Sequence, residues 1–432
     1  MKLTATQKRQ RILMMVFGAF AIFFTGYPHI WSIYQPYVME QAGWTQGQAS
    51  LCFYLALATF VFGNIVGGRI QDKKSPRLVV FIGGAIFTVG VILSAFLIIP
   101  SPIPIYLTYG VMQGFGQGMI YTTIISTAQK WFPGRTGFAS GIVVTANGLC
   151  GFFLSPISRM LLEKTGPSGT LLVIGIVIGI SWILSSIFFY VPDEEWRKQM
   201  EQEAAQKSGN SAAVAQKQYT SGEMMHTKSF YFLLATMLFG LISYFLVSPV
   251  SQTHQLSLGI PSAVAVSAVM IGSIVNASTR LVLPTLADKV GRVVCIKVVL
   301  MVSIVAMAVL ALTSSYSVTV AIVIMYGCYG GIMGSFPSFT SSIFGIKHSG
   351  ENYGYVMFGI VIATIGAPAL TGFMTGRGLQ MQMVFAVGAG FAVIALVCLS
   401  FLEKELKKMN NIEKETENGI SNNEIPAGAG EK

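Results

Sequence analysis

Gly68-Arg69-Ile70-Gln71-Asp72-Lys73-Lys74-Ser75-Pro76-Arg77 closes one long apolar run, and Pro284-Thr285-Leu286-Ala287-Asp288-Lys289-Val290-Gly291-Arg292 closes another. Each places an Asp-Lys pair at the end of its run and an arginine a few residues later. The two aspartates stand 216 residues apart, and a second pair of segments repeats at nearly the same period. Gly141-Ile-Val-Val-Thr-Ala-Asn147-Gly148 and Gly359-Ile-Val-Ile-Ala-Thr-Ile365-Gly366 are separated by 218 residues. Two matches at one period imply duplication of a larger unit.

The unit is a set of membrane spans. The chain is 53% hydrophobic and 11% charged, whereas a soluble domain carries about 25% charged residues. Apolar runs long enough to cross a ~30 Å hydrocarbon core fall at 12–37, 47–70, 78–99, 104–130, 137–160, 169–191, 229–254, 263–287, 293–313, 317–345, 352–374 and 382–402. The fold class expected is an all-α polytopic membrane protein with twelve transmembrane helices in two pseudo-symmetric six-helix bundles. Its parts are an N-terminal bundle (1–191), a cytoplasmic linker (192–228) rich in Glu, Gln, Lys, Ser and Ala, a C-terminal bundle (229–402) and a cytoplasmic tail (403–432).

A net charge of +10 would suggest nucleic acid only if the cations shared a soluble face. They alternate between loops instead: Lys2, Lys8, Arg9 and Arg11; Lys73, Lys74 and Arg77; Lys130 and Arg135; Arg197 and Lys198; Lys289 and Arg292; Lys347; Lys404, Lys407 and Lys408. The intervening loops hold little beyond Arg159, Lys164 and Arg377. This bias predicts a plasma-membrane protein with both termini cytoplasmic and the lipid bilayer, not nucleic acid, as its surroundings. The basic start and first apolar run are too long for a cleaved leader. The five cysteines (Cys52, Cys150, Cys295, Cys328, Cys398) show no metal spacing and read as small packing residues. No nucleophile–base pair, metal cluster or nucleotide loop appears in the spans, so no enzyme activity, metal or cofactor is expected, and the protein is expected to work as a monomer.

Arg280 is the one charge placed deep in these runs. Eight residues separate it from Asp288, about 12 Å of depth at the helical rise. An unpaired guanidinium there costs at least ~2.5–3.5 kcal/mol, so it normally faces a cavity and has a task. By these span boundaries no Asp or Glu is available to neutralise it, and an anion that comes and goes is the simplest partner. The alternative is a structural cation satisfied by backbone carbonyls at a helix break.

These residues resemble the major facilitator superfamily across all twelve spans. Gly68 to Arg77 looks like its gating loop, with Ser75-Pro76 departing from the usual pattern, and the repeated Asp72, Arg77, Asp288 and Arg292 are the gating candidates. Gly26-Tyr-Pro-His29-Ile-Trp31-Ser-Ile-Tyr34 with Gly43-Trp44-Thr45, then Lys130-Trp-Phe-Pro-Gly-Arg135-Thr-Gly137, and Asn352-Tyr353-Gly354 resemble the oxalate/formate antiporter and monocarboxylate transporter branch. The resemblance implies that Arg280 engages the substrate carboxylate, a role suited to a planar, permanently charged fork. It also implies a binding role for Tyr121, an opposite wall of Tyr326, Tyr329 and Phe336, and Tyr34 and Gln35 further out, each of these equally readable as an ordinary packing residue.

Two departures narrow the expectation. The oxalate exchanger has a second cation, a lysine, where the Asn-Tyr-Gly register puts Ile360, and no Lys or Arg lies between Tyr353 and Thr375. One cation balances a monocarboxylate of the lactate, pyruvate or formate type better than a dianion. Animal monocarboxylate carriers have an aspartate one turn before the arginine; Asn276 stands there, able to bond a substrate hydroxyl, hold the arginine or join helices, but unable to carry a proton. For proton coupling His29 and His254 are the titratable groups, each also readable as an ordinary hydrogen-bonded residue. Symport, antiport and uniport stay open, as do dicarboxylate exchange and a transporter-like sensor that binds without moving its ligand.

Overall fold

A computed structural model describes residues 4–197, 199–200 and 218–423. Lys2, Lys198, the linker stretch 201–217 and the end of the tail, 424–432, lie outside the described residues.

Every regular element among the described residues is helical. Ten of the helices are long and apolar enough to cross a membrane. One of them, Thr136–Ile187, changes direction at Gly166, where φ of 67° interrupts the helix ahead of Pro167, and so supplies the fifth and sixth passes. The fourth runs from Ile103 to Trp131 through a widened turn at Tyr106–Gln113, about 40 Å at the helical rise. The chain therefore makes twelve passes. Large apolar side chains such as Phe81, Ile180, Val305 and Phe373 stand exposed on the outside, where hydrocarbon replaces water as their solvent.

Local signals set the pass ends. Thr4 and Gln7 form a capping box at the first helix, Ala5–Phe24, and Thr45 and Gln48 form another at the second pass, Gln46–Lys73. Pro76 opens the third, Pro76–Phe96, at a position where its missing N–H is harmless. The first pass breaks at Thr25-Gly26 and a short turn at Tyr27–Ile30 before resuming as Trp31–Ala42.

Three expectations change. The capping box starts the first pass seven residues before position 12. The last helix, Met381–Asn423, continues well into the expected tail. There Glu403 pairs with Lys407 one turn on (2.9 Å) and with Lys297 of the ninth pass, Arg292–Leu312, which anchors the extension to the bundle. Finally, the helices outrun the apolar segments, so Asp72, Asp288, Glu351 and Glu403 all lie within helices, near the end of the bundle that carries both termini.

The halves meet with approximate two-fold symmetry. The fifth pass packs on the eighth, Ser262–Val290, and on the tenth, Ser317–Phe344; the second and fourth pack on the eleventh, built from Ser349–Val356 and Phe358–Gly376. Cross-half bonds crowd the termini end. Asp288 accepts from the amides of Gly137 (3.1 Å) and Phe138 (2.9 Å) and from Arg292 (2.8 Å), so a carboxylate of one half caps a helix of the other. Arg292 also donates to Thr136 Oγ1. Arg69 donates to Glu351 (2.8 Å) and Tyr355 (2.9 Å), and Ser341 donates to Gln129 (2.6 Å). Among the described residues the cross-half hydrogen bonds reach no nearer the opposite end than those that join Ala277 and Arg280 of the eighth pass to Thr145 and Asn147 of the fifth. The bundle is closed at the termini end.

Asp288→Ala should lower the thermal midpoint of the purified protein by the equivalent of about 1 kcal/mol, the usual value of a lost cap. An unchanged midpoint in a detergent unfolding scan would remove the cap from the closed end's stability.

Candidate functional site

Arg280 is 3% exposed, about two turns before Asp288 in the eighth pass. Its Nε donates to Asn276 Oδ1 (2.9 Å), four residues earlier on the same face. Its Nη1 donates to Asn147 Oδ1 (2.9 Å) and, more loosely, to the Val144 carbonyl (3.4 Å), both on the fifth pass. The Tyr329 ring lies 5.4 Å from the guanidinium carbon, within cation–π range, and stacks in turn on Tyr244 at 4.1 Å. No carboxylate pairs with Arg280 among the described residues. All its partners are neutral oxygens and a ring face.

The sequence around Arg280 permits this crowding. Pro284 has no N–H to return to the Arg280 carbonyl. Gly334 of the tenth pass packs against that carbonyl, where a Cβ would stand 2.5 Å from the oxygen, and Gly148 packs against the guanidinium stem, where a Cβ would stand 3.1 Å from Cδ. Three helices close on one side chain because two of them present hydrogen atoms instead of methyl groups.

Around this centre lie Tyr121 and Tyr353, both buried and both within electrostatic reach of Arg280, with their hydroxyls facing one another and meeting no other hydrogen-bond partner among the described residues. His29 shares that reach and is exposed. Its ring meets Phe53 edge-on at 6.1 Å. The fold thus gathers Arg280, Asn276, Tyr121, Tyr329 and His29.

The other candidates lie elsewhere. Tyr34 donates to Ser158 (3.0 Å) inside an aromatic cluster with Tyr27 and Trp31. Phe336 is buried edge-on to Phe339, and His254 packs on Phe385 at 5.0 Å. Ile360 is 5% exposed. At the closed end Asp72 sits 3.4 Å from His348 and Arg77 is exposed, without a hydrogen bond or ion pair among the described residues. Sequence reasoning missed Asn147, Tyr353, His348 and the Arg69–Glu351 pair. Asn147 lies inside the repeated 141–148 segment and Tyr353 inside Asn-Tyr-Gly, while Glu351 lies just outside the 352–374 apolar run.

Residues 13–358 match the profile of the Major Facilitator Superfamily, and the chain belongs to that family. It is 25% identical over 375 residues to the oxalate:formate antiporter of Oxalobacter formigenes, covering 86% of this chain and 85% of that one. It is 31% identical over 123 residues to human monocarboxylate transporter 11, spanning 28% of this chain and 26% of that one. A bacterial homologue of the iron transporter ferroportin, solved in an outward-facing state, superposes with a TM-score of 0.70 at 12% identity over 91% of this chain and 99% of that one, a likeness of fold alone. The protein is a membrane transporter and not an enzyme.

Gly334→Ala should push the tenth pass from the eighth and lower the thermal midpoint by the equivalent of roughly 1–3 kcal/mol, as overpacking does. A midpoint within error of the native one would show that the helices yield freely there.

Proposed function

We propose that the protein is a secondary carrier of a small monocarboxylate anion, of the lactate, pyruvate or formate type, working by alternating access with Arg280 as the carboxylate-binding group. One observation carries the reading: a buried guanidinium surrounded by neutral acceptors, with no acid among the described residues to balance it. Such a group is poised for an exchangeable anion. Asn276 holds the arginine, Tyr329 covers one face, and the buried hydroxyls of Tyr121 and Tyr353 offer donors to a bound acid.

The bonds among Asp72, His348, Asp288, Arg292, Arg69 and Glu351 form the closed gate. With both termini cytoplasmic, as the cation bias indicates, the arrangement faces outward in the plasma membrane. His29, exposed beside Arg280, is the better placed of the two histidines for proton coupling.

A second reading is exchange of the oxalate:formate type, favoured by the similarity to the Oxalobacter protein. Against it stands Ile360, which leaves the site one positive charge.

Counterflow of labelled lactate in proteoliposomes separates these readings. Pyruvate and formate should compete while oxalate should not, and Arg280→Ala should lose at least about 100-fold of uptake, the scale of one or two charge-assisted hydrogen bonds. Saturable native-like uptake by a folded Arg280→Ala protein would sink the proposal, and potent oxalate competition would favour the second reading.

A further inference from the structure

A guanidinium has five N–H donors. In this structure Asn276, Asn147 and Val144 take up those on Nε and Nη1, whereas Nη2 bonds to no amide, carbonyl or carboxylate among the described residues and the neutral Tyr329 hydroxyl is the guanidinium's remaining polar neighbour. A carboxylate that binds through two parallel bonds needs two neighbouring donors. Nη2 supplies one. The second must come from Nε, held by Asn276 on the arginine's own helix, or from Nη1, held by Asn147 across the interface between halves.

Asn147 is the better placed to yield. Its Nδ2 donates to Thr25 Oγ1 (3.0 Å), at the break in the first pass, so its amide keeps a partner when Oδ1 is released. Thr25 is itself fixed: its hydroxyl donates to the Ile22 carbonyl (2.5 Å) and its carbonyl accepts from Gln117, which accepts from Gln113 at 3.0 Å. The chain Gln113, Gln117, Thr25, Asn147 lies wholly in the first half and aims one amide oxygen at the arginine of the second. The companion bond from Nη1 to Val144 is the longest that Arg280 makes.

We propose that Asn147 is a positioning residue whose Oδ1 occupies, in the empty carrier, the place on Arg280 Nη1 that a substrate carboxylate oxygen takes. The inference rests on the proposed carboxylate role of Arg280. A neutral amide suits this task better than its neighbours in chemistry. It is enough to hold the cation in place, yet a full negative charge makes a hydrogen bond roughly twice as strong and displaces it. An acid at position 147 would instead pair with the arginine permanently. Binding then exchanges a neutral contact between halves for an anion held by the second half.

Thermal shift and equilibrium binding with lactate as the probe, on the full-length protein in lipid nanodiscs, test this. Asn147→Ala should bind lactate within about threefold of native or more tightly, with a lower midpoint when lactate is absent and a larger rise when it is added. Asn147→Asp should hold a midpoint at or above native and bind lactate at least 100-fold more weakly. A tenfold or greater loss of binding in Asn147→Ala would overturn the inference, because Asn147 would then contribute to the bound state. Native-like binding by Asn147→Asp would overturn it as well, and should that variant not fold, the alanine arm decides alone. Arg280→Gln run in parallel separates the two levels. If it binds lactate normally, the carboxylate reading fails; if it loses binding while Asn147→Ala also loses it, only the role of Asn147 fails.

Discussion

A full positive charge that cannot be neutralised by titration, placed where hydrocarbon surrounds the protein, must be satisfied by geometry alone. Arg280 sets that requirement. Its solution draws on three helices at once: an amide from its own, an amide and a carbonyl from the fifth pass, and an aromatic face from the tenth. Each contact demands close approach, which is why glycines stand at 148 and 334 and a proline at 284. The interface between the two halves at mid-depth is organised around this one side chain.

The closed end shows what duplication keeps and what it loses. Asp288 and Asp72 occupy repeated positions beside the helix that enters from the opposite half. Asp288 caps the fifth pass through two backbone amides, whereas Asp72 faces a histidine side chain, and Arg69 with Glu351 supplies the firmer bond on that side. In the second repeat the position matching Asn147 is Ile365, which is exposed. The template gives a symmetric scaffold; the chemistry sits on one side of it.

Much of the architecture was legible because its causes are local. Apolar length, alternating loop cations and the repeated Asp-Lys pairs are properties of short segments, and they yield twelve passes and two halves. Arg280 was legible for the same reason, since an arginine in an apolar run is conspicuous without any partner. Its partners were not. Asn147 is 133 residues away in sequence, and nothing in Thr-Ala-Asn-Gly says which helix it will face. Glu351 escaped because hydropathy ends a span where apolarity ends, while a helix continues as long as its backbone bonds do. Tyr34 and Phe336 looked equivalent to Tyr121 and Tyr329 as aromatics in spans; which of them reach the arginine depends on helix rotation, a tertiary property.

That no acid stands beside Arg280 among the described residues also has an electrical consequence under the proposed reading. With a monocarboxylate bound, the mid-membrane site holds no net charge, and a resting potential exerts little force on its passage. Empty, the same site carries one positive charge, and displacement across the full field would be worth about 2.3 kcal/mol per 100 mV. The membrane voltage therefore acts on the return of the unloaded carrier and leaves the exchange of one monoanion for another nearly untouched. A dianion would reverse the sign of the loaded site and make every exchange for a monoanion a current.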